Sequence, residues 1–77
     1  MNSKETLEIL AKQWCDIHDL MKLTGLAKTR AYEIRKEMLY SLKQQGYLLP
    51  NDMIPMIEVV KKFKIDIDYL ERMSKMI

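Results

Sequence analysis

Six side chains between residues 28 and 36 have the types and spacing of a surface that binds nucleic acid. They are Lys28, Thr29, Arg30, Tyr32, Glu33 and Lys36. Cationic side chains bind nucleic-acid phosphates, whereas hydroxyl and carboxylate groups can form hydrogen bonds with base edges. We therefore expect the three cations to contact phosphate first, while Thr29 and Glu33 could read bases.

Basic charge is concentrated around these residues rather than spread along the chain. The protein has 77 residues and a formal net charge of +2. Residues 26–46 hold five basic and two acidic side chains, a net charge of +3, whereas residues 1–25 hold three basic and four acidic ones, a net charge of −1. The positive potential that would attract a polyanion is therefore predicted to lie on one segment.

A helix-turn-helix over residues 16–45 is predicted to carry these side chains. Its first helix has an apolar face at i, i+3, i+4 and i+7, formed by Ile17, Leu20, Met21 and Thr24. Asp16 is the expected N-cap, with Asp19 as a second carboxylate in the first turn. Gly25 is expected to end this helix, because glycine adopts the left-handed conformation without a steric penalty.

The second helix of the motif is predicted to run to about Gln45, with Gly46 as its stop signal. Its apolar stripe consists of Ala31, Ile34, Met38 and Leu42. The small Ala31 should let the two helices approach closely. Thr29, Glu33, Lys36 and Tyr40 then project from the opposite side of the helix, with Arg30 and Tyr32 on its flanks. Arg35 lies nearer the stripe and could extend its stem over the core.

Four further elements are predicted to complete a single domain spanning residues 1–77. A supporting helix over residues 3–14 is indicated by the spacing of its apolar residues up to Trp14, and a short hairpin over residues 47–55 by turn residues between two apolar runs. Two C-terminal helices are predicted over residues 55–64 and 67–76. The expected fold is mainly α with a small β-hairpin, a winged helix-turn-helix with about four to five helices.

The composition argues against several other classes of protein. We find no nucleophile–base pair, phosphate-binding glycine loop or set of metal ligands, so an enzyme, a cofactor and a small-molecule substrate are not expected. The spacing of Asp16 and Asp19 is explained by helix capping, and His18 stands alone. The lone Cys15, the absence of a signal-like segment and the lack of an apolar run near about 20 residues predict a cytoplasmic protein that does not enter a membrane.

Two stretches of the sequence resemble excisionase-like, MerR-type winged helix-turn-helix proteins of phages and integrative elements. One is the pattern T-G-L-x-x-T-x-A-Y, formed by residues 24–32, and the other is the x-P pattern at Ile54 and Pro55 before an apolar helix. The similarity covers roughly residues 14–65. Ala27 occupies a position where such motifs usually carry a serine or threonine cap, and the expected hairpin tip lacks lysine and arginine.

The resemblance implies that the second helix enters the major groove of double-stranded DNA and that the hairpin approaches a neighbouring groove. By position, it assigns DNA contacts to the same six residues named above. It also implies a role as an excisionase or small transcriptional regulator, acting by bending DNA or by assembling with an integrase; a second copy of the chain is another candidate partner.

Two alternatives to DNA binding remain open at the level of sequence. The basic helix could be an ordinary solvated face, and the cluster of Lys61, Lys62 and Lys64 could reflect only the favourable position of cations at a helix C-terminus. The chain could instead be a protein–protein interaction module built on a helix-turn-helix scaffold. Its long second helix and its C-terminal apolar stripe would then bind a partner or another copy of the chain.

Overall fold

The computed structural model describes residues 2–75, which form five α-helices and two short β-strands. In chain order these are α1 (Ser3–Leu10), β1 (Trp14–Cys15), α2 (Ile17–Thr24), α3 (Lys28–Gln44), β2 (Ile54–Pro55), α4 (Met56–Phe63) and α5 (Ile67–Lys75). The strands form one antiparallel two-stranded sheet. The predicted fold class, mainly helical with a small β element, is confirmed and is consistent with a small winged helix-like fold.

The helix-turn-helix follows its predicted design closely. Asp16 caps α2: its side chain accepts a hydrogen bond from the Asp19 amide at 2.8 Å, and the Asp19 carboxylate accepts one from the Asp16 amide at 3.3 Å. Gly25 ends the helix in the left-handed conformation, with φ of 72°. Ala31 is fully buried in the core, and α2 and α3 pack together. Local capping therefore fixes where α2 starts and stops.

The first helix is shorter than predicted, and Trp14 lies outside it. α1 ends at Leu10, and its N-cap is Asn2, whose side chain accepts a hydrogen bond from the Glu5 amide at 2.9 Å. Trp14 instead belongs to β1 with Cys15. The prediction over residues 3–14 failed because Trp14 continued the helical spacing, whereas strand pairing buries the adjacent Cys15 almost completely.

The hairpin predicted within residues 47–55 does not form from neighbouring segments. β2 is present, but it pairs with β1, in the register Trp14 with Pro55 and Cys15 with Ile54. Residues 47–49 are not a strand, and Leu48 is 93% exposed. A distant strand is the better partner because this pairing brings Cys15 and Ile54 together in the core.

The segment Pro50–Asp52, hereafter the 50–52 turn, forms the predicted turn, in which the Met53 amide donates a hydrogen bond to the Pro50 carbonyl at 2.9 Å. Asn51 and Asp52 both adopt the left-handed region, with φ of 52°. α3 stops before this segment as expected: Gly46 has φ of 94°, and the Tyr47 amide donates to the Leu42 carbonyl at 3.1 Å. The hydrogen bond from Tyr47 turns the chain back toward α3.

The buried core lies between the helix-turn-helix, the small sheet and α4. Its residues are Cys15, Leu20, Ala31, Ile34, Met38, Leu39, Leu42, Ile54, Met56 and Val59. The four residues of the predicted apolar stripe of α3 belong to this core, and so does Leu39, which α3 also buries. The opposite side of α3 therefore remains at the surface.

The C-terminal helices resemble the predicted ones but differ at their ends. Pro55 closes β2 and precedes α4 as its N-cap, instead of forming the first residue of the helix. α5 begins after Asp66, whose side chain accepts a hydrogen bond from the Tyr69 amide at 2.9 Å. It packs mainly against α1. The predicted end of this helix at residue 76 lies outside the described residues.

Candidate nucleic-acid interface

α3 carries all six side chains that the sequence singled out, and every one of them is exposed. These are Lys28, Thr29, Arg30, Tyr32, Glu33 and Lys36. The buried stripe through Ala31, Ile34 and Met38 lies on the other side of the helix. The 3.6-residue period therefore places Thr29, Glu33 and Lys36 opposite this stripe and the other three candidates on the flanks, all within the first half of a 17-residue helix.

The turn before α3 sets the position of its first residues. Leu26 packs against the core, and its amide donates to the Thr24 hydroxyl at 3.3 Å. Ala27 is the N-cap of α3, and its methyl group cannot accept a hydrogen bond from the first-turn amides. Lys28, Thr29 and Arg30 follow directly, so the exposed start of α3 combines backbone donors with two cations.

Two of the predicted contact residues bind each other. Arg30 Nη1 lies 3.0 Å from Glu33 Oε2, one helical turn away, and both side chains are more than half exposed. Exposed pairs at this spacing contribute little to stability and are screened by salt. Arg30 and Glu33 can therefore exchange this contact for an external partner, a feature that the sequence analysis did not anticipate.

The cations farther along α3 bind the 50–52 turn. Arg35 is half-buried and its Nη2 donates to the Asp52 backbone carbonyl at 2.9 Å. Lys43 Nζ donates to the Asp52 carboxylate at 2.9 Å. The hydrogen bond from Lys43 and its charge, together with the charge of Arg35, lower the pKa of Asp52 below its ordinary value. These contacts attach the turn to the side of α3.

A shallow groove of about 430 Å³ lies between α3 and this turn. It is lined by Tyr32, Arg35, Lys36, Leu39, Tyr40, Lys43 and Asp52. Only two of these residues, Tyr32 and Lys36, were among the six predicted contacts. Arg35, Leu39 and Lys43 follow one another at four-residue spacing, so they form a row beside the predicted surface. This four-residue spacing could have indicated from the sequence that Arg35 and Lys43 lie on the same face of α3.

The acidic residues at the start of α2 have a structural role. Asp19 is buried, and its Oδ1 accepts a hydrogen bond from Lys12 Nζ at 3.0 Å while the same carboxylate completes the cap of α2. Asp16 has a pKa below its ordinary value, mainly because it accepts the hydrogen bond of the Asp19 amide. The predicted assignment of both residues to capping is confirmed.

Cys15 is buried beside these carboxylates. Burial, followed by the negative charges of Asp19 and Asp16, raises its pKa to about 12. The thiol is therefore protonated at neutral pH and behaves as a small core side chain. Within residues 2–75 no group of three or more His, Cys, Asp or Glu side chains is arranged to hold a metal ion.

Among residues 2–75, no helix combines the length and the apolar character needed to span a bilayer.

Comparisons with protein families, with curated proteins and with solved structures found no match to this chain.

Proposed function

We propose that the protein binds double-stranded DNA sequence-specifically by placing α3 in the major groove. The observation that carries the proposal is the exposure of all six candidate residues in the first half of α3, with Thr29, Glu33 and Lys36 on the side opposite the buried stripe. α5, the element that could have covered this surface, packs against α1 instead. The ends of the candidate segment are eight residues apart, or roughly 12 Å along the helix, close to the width of the major groove.

The roles follow from chemistry and position. Lys28, Arg30 and Lys36 contact phosphates on either side of the groove, and Thr29 and Glu33 reach base edges between them. Tyr32 lies on the flank of the surface, where its ring can pack on the sugar-phosphate backbone. The resemblance of the motif to excisionase-like proteins extends this proposal to an accessory or regulatory protein of a mobile element, either an excisionase or a small transcriptional regulator.

Salt-dependent binding to a mixed-sequence duplex of about two helical turns tests the DNA contact. Fluorescence anisotropy should detect binding at about 50 mM salt, and the affinity should fall steeply with rising salt because bound phosphates release counterions. Lys36→Ala should flatten the log–log salt slope by about one unit. Lys4→Ala, on the exposed side of α1, is the matched control and should leave the slope unchanged. Absence of binding at low salt would refute the proposal.

Selection of bound sequences from a random DNA library separates base reading from phosphate contact. Thr29→Ala and Glu33→Gln should change the selected sequence, because they alter groups that face base edges. Lys36→Ala should weaken binding to all sequences about equally. If the wild-type protein selects no sequence, its DNA binding is nonspecific and the regulatory part of the proposal fails.

A second candidate function is protein–protein interaction. Leu48 is almost fully exposed and Tyr47 is half exposed in the segment that follows α3, so an apolar side chain is available to a partner. Light scattering and pull-down experiments separate the two functions. Under this alternative, Lys36→Glu retains the partner and Leu48→Ser loses it, whereas under DNA binding Lys36→Glu loses the DNA and Leu48→Ser retains it.

A further inference from the structure

The groove between α3 and the 50–52 turn brings two cations to one acidic residue. Lys43 Nζ lies 2.9 Å from Asp52 Oδ1, and Arg35 Nη2 lies 2.9 Å from the Asp52 carbonyl oxygen. Lys36 lines the same groove. The Asp52 carboxylate accepts a hydrogen bond from Lys43 and has the charge of Arg35 nearby, and a carboxylate in such cationic surroundings occupies the kind of site that also binds a phosphate oxygen.

The contact between Lys43 and Asp52 is open to exchange. Their side chains are 52% and 59% exposed, so water and salt screen the pair. A DNA phosphate offers Lys43 a charge-assisted hydrogen bond of the same kind, and its binding also releases a counterion. The carboxylate can therefore be displaced without opening the core.

We propose that this groove is a binding site for a DNA phosphodiester, and that the Asp52 carboxylate occupies the phosphate position in the free protein. The proposal rests on the DNA binding proposed for α3 and extends it from Lys36 to Arg35 and Lys43. Lys36 and Lys43 are seven residues apart, or roughly 10 Å along the helix axis. The backbone contacts then continue from the reading half of α3 toward its C-terminal half, on the flank nearest the turn.

Asp52→Asn isolates the carboxylate from the rest of the turn. Asparagine has nearly the same shape and tolerates the left-handed φ of 52° at this position. The hydrogen bond from Arg35 goes to the backbone carbonyl, so the substitution preserves it. We expect the variant to bind the mixed-sequence duplex about three- to tenfold more tightly at about 50 mM salt, with a salt slope steeper by up to about one unit.

The control for overall charge is Asp68→Asn, which makes the same change in net charge on α5. Asp68 is exposed in the first turn of that helix, which packs against α1. If local displacement at the groove is responsible, Asp68→Asn should change the affinity by less than about twofold, because long-range effects are screened at this salt concentration. Thermal unfolding of both variants shows whether either one is misfolded.

Lys43→Gln tests whether Asp52 acts through the cation that it contacts. The variant should bind DNA several-fold more weakly than the wild type, with a slope flatter by about one unit, whereas Lys4→Gln on α1 should match the wild type. When Lys43→Gln is already present, adding Asp52→Asn should increase the affinity for DNA much less than it does in the wild type. The double variant thus separates displacement at this site from general electrostatic repulsion.

The possible outcomes separate the two proposals. If the wild type binds DNA but Asp52→Asn and Asp68→Asn give equal affinities, or if Asp52→Asn weakens binding, the phosphate site is disproved and the proposed function survives. If neither the wild type nor Asp52→Asn binds duplex DNA at low salt, both proposals fail. If Asp52→Asn alone binds, the proposed function fails for the wild type, whereas the groove is shown to accept a phosphate once the carboxylate is neutral.

Discussion

The N-termini of α2 and α3 differ in where their polar groups find partners. At α2, Asp16 and Asp19 form a reciprocal cap, and Asp19 also binds Lys12 from the segment after α1. At α3, the capping position is occupied by Ala27, and the side chains that follow project into solvent. The polar groups at the start of α2 therefore have partners within the protein, whereas the start of α3 keeps backbone donors and cationic side chains available to an outside partner.

Two aspartate–lysine pairs, Asp19 with Lys12 and Asp52 with Lys43, repeat this difference. The Asp19 side chain in the α2 pair is only 6% exposed, whereas both side chains of the Lys43–Asp52 pair are largely exposed. Removing a buried carboxylate leaves its donors without an acceptor, while removing an exposed one leaves them in water. We infer that the first pair holds the fold together and that the second is suited to exchange. Four predictions test this contrast.

The largest effect is expected from enlarging the contact between the two helices. Ala31→Leu places extra volume where α2 and α3 pack, and should lower the free energy of unfolding by about 2–3 kcal/mol because the core must shift. Ala27→Leu, at the exposed N-cap position immediately before α3, is the matched control and should have little effect. Urea denaturation measures both variants; equal values would mean that the crossing is not tightly packed.

A smaller loss is expected when the buried carboxylate of α2 is neutralised. Asp19→Asn should lower the free energy of unfolding by about 1–2 kcal/mol, because it weakens the cap and the contact with Lys12. The same chemical change at Asp52 should leave the midpoint of thermal unfolding essentially unchanged, since that side chain is exposed. A larger loss at Asp52 than at Asp19 would reverse the roles assigned to the two pairs.

Supplying α3 with the cap that it lacks should remove part of the difference between the two helices. Ala27→Ser adds a hydroxyl that can accept a hydrogen bond from a first-turn amide, and should raise the free energy of unfolding by about 0.5–1 kcal/mol. Ala11→Ser, at the C-terminal end of α1, is the control because a serine there cannot cap a helix N-terminus. If Ala27→Ser does not raise the free energy of unfolding, the first-turn amides of α3 already have hydrogen-bond partners.

The smallest effect concerns the titration of Asp16. Its pKa is lower in the folded protein than its ordinary value of 3.8, so its contribution to stability is present above that pH and is lost as the pH falls through the lower folded pKa. Asp16→Asn keeps a capping oxygen but does not titrate. Its stability should therefore fall less than that of the wild type between neutral pH and pH below about 3.8, as thermal unfolding can measure.

The elements predicted best from the sequence are those whose signals are local. The cap at Asp16, the left-handed stops at Gly25 and Gly46, and the buried stripe of α3 all depend on residues within a few positions of one another. The exposure of the six candidate DNA contacts follows from the same helical period, although their role stays a prediction. The additional cations, Arg35 and Lys43, follow the same period but were not selected.

The two incorrect structural predictions concern segments that contact each other although they are far apart in the chain. The spacing of apolar residues extended the first helix through Trp14, and turn residues suggested a hairpin between neighbouring segments. Both expectations failed for one reason: Trp14–Cys15 pairs with Ile54–Pro55, far along the chain. Local propensity cannot identify a strand partner when two short strands gain their stability mainly by burying Cys15 and Ile54 in a shared core.

The sequence by itself determined where α2 and α3 begin and end and which face of α3 is apolar, because capping and helical period act over one or two turns. Tertiary structure decided which strands pair, that α5 lies on α1, and that the 50–52 turn brings Asp52 to Arg35 and Lys43. Those contacts join residues far apart in the chain, so they depend on the packing of the whole core rather than on any local pattern.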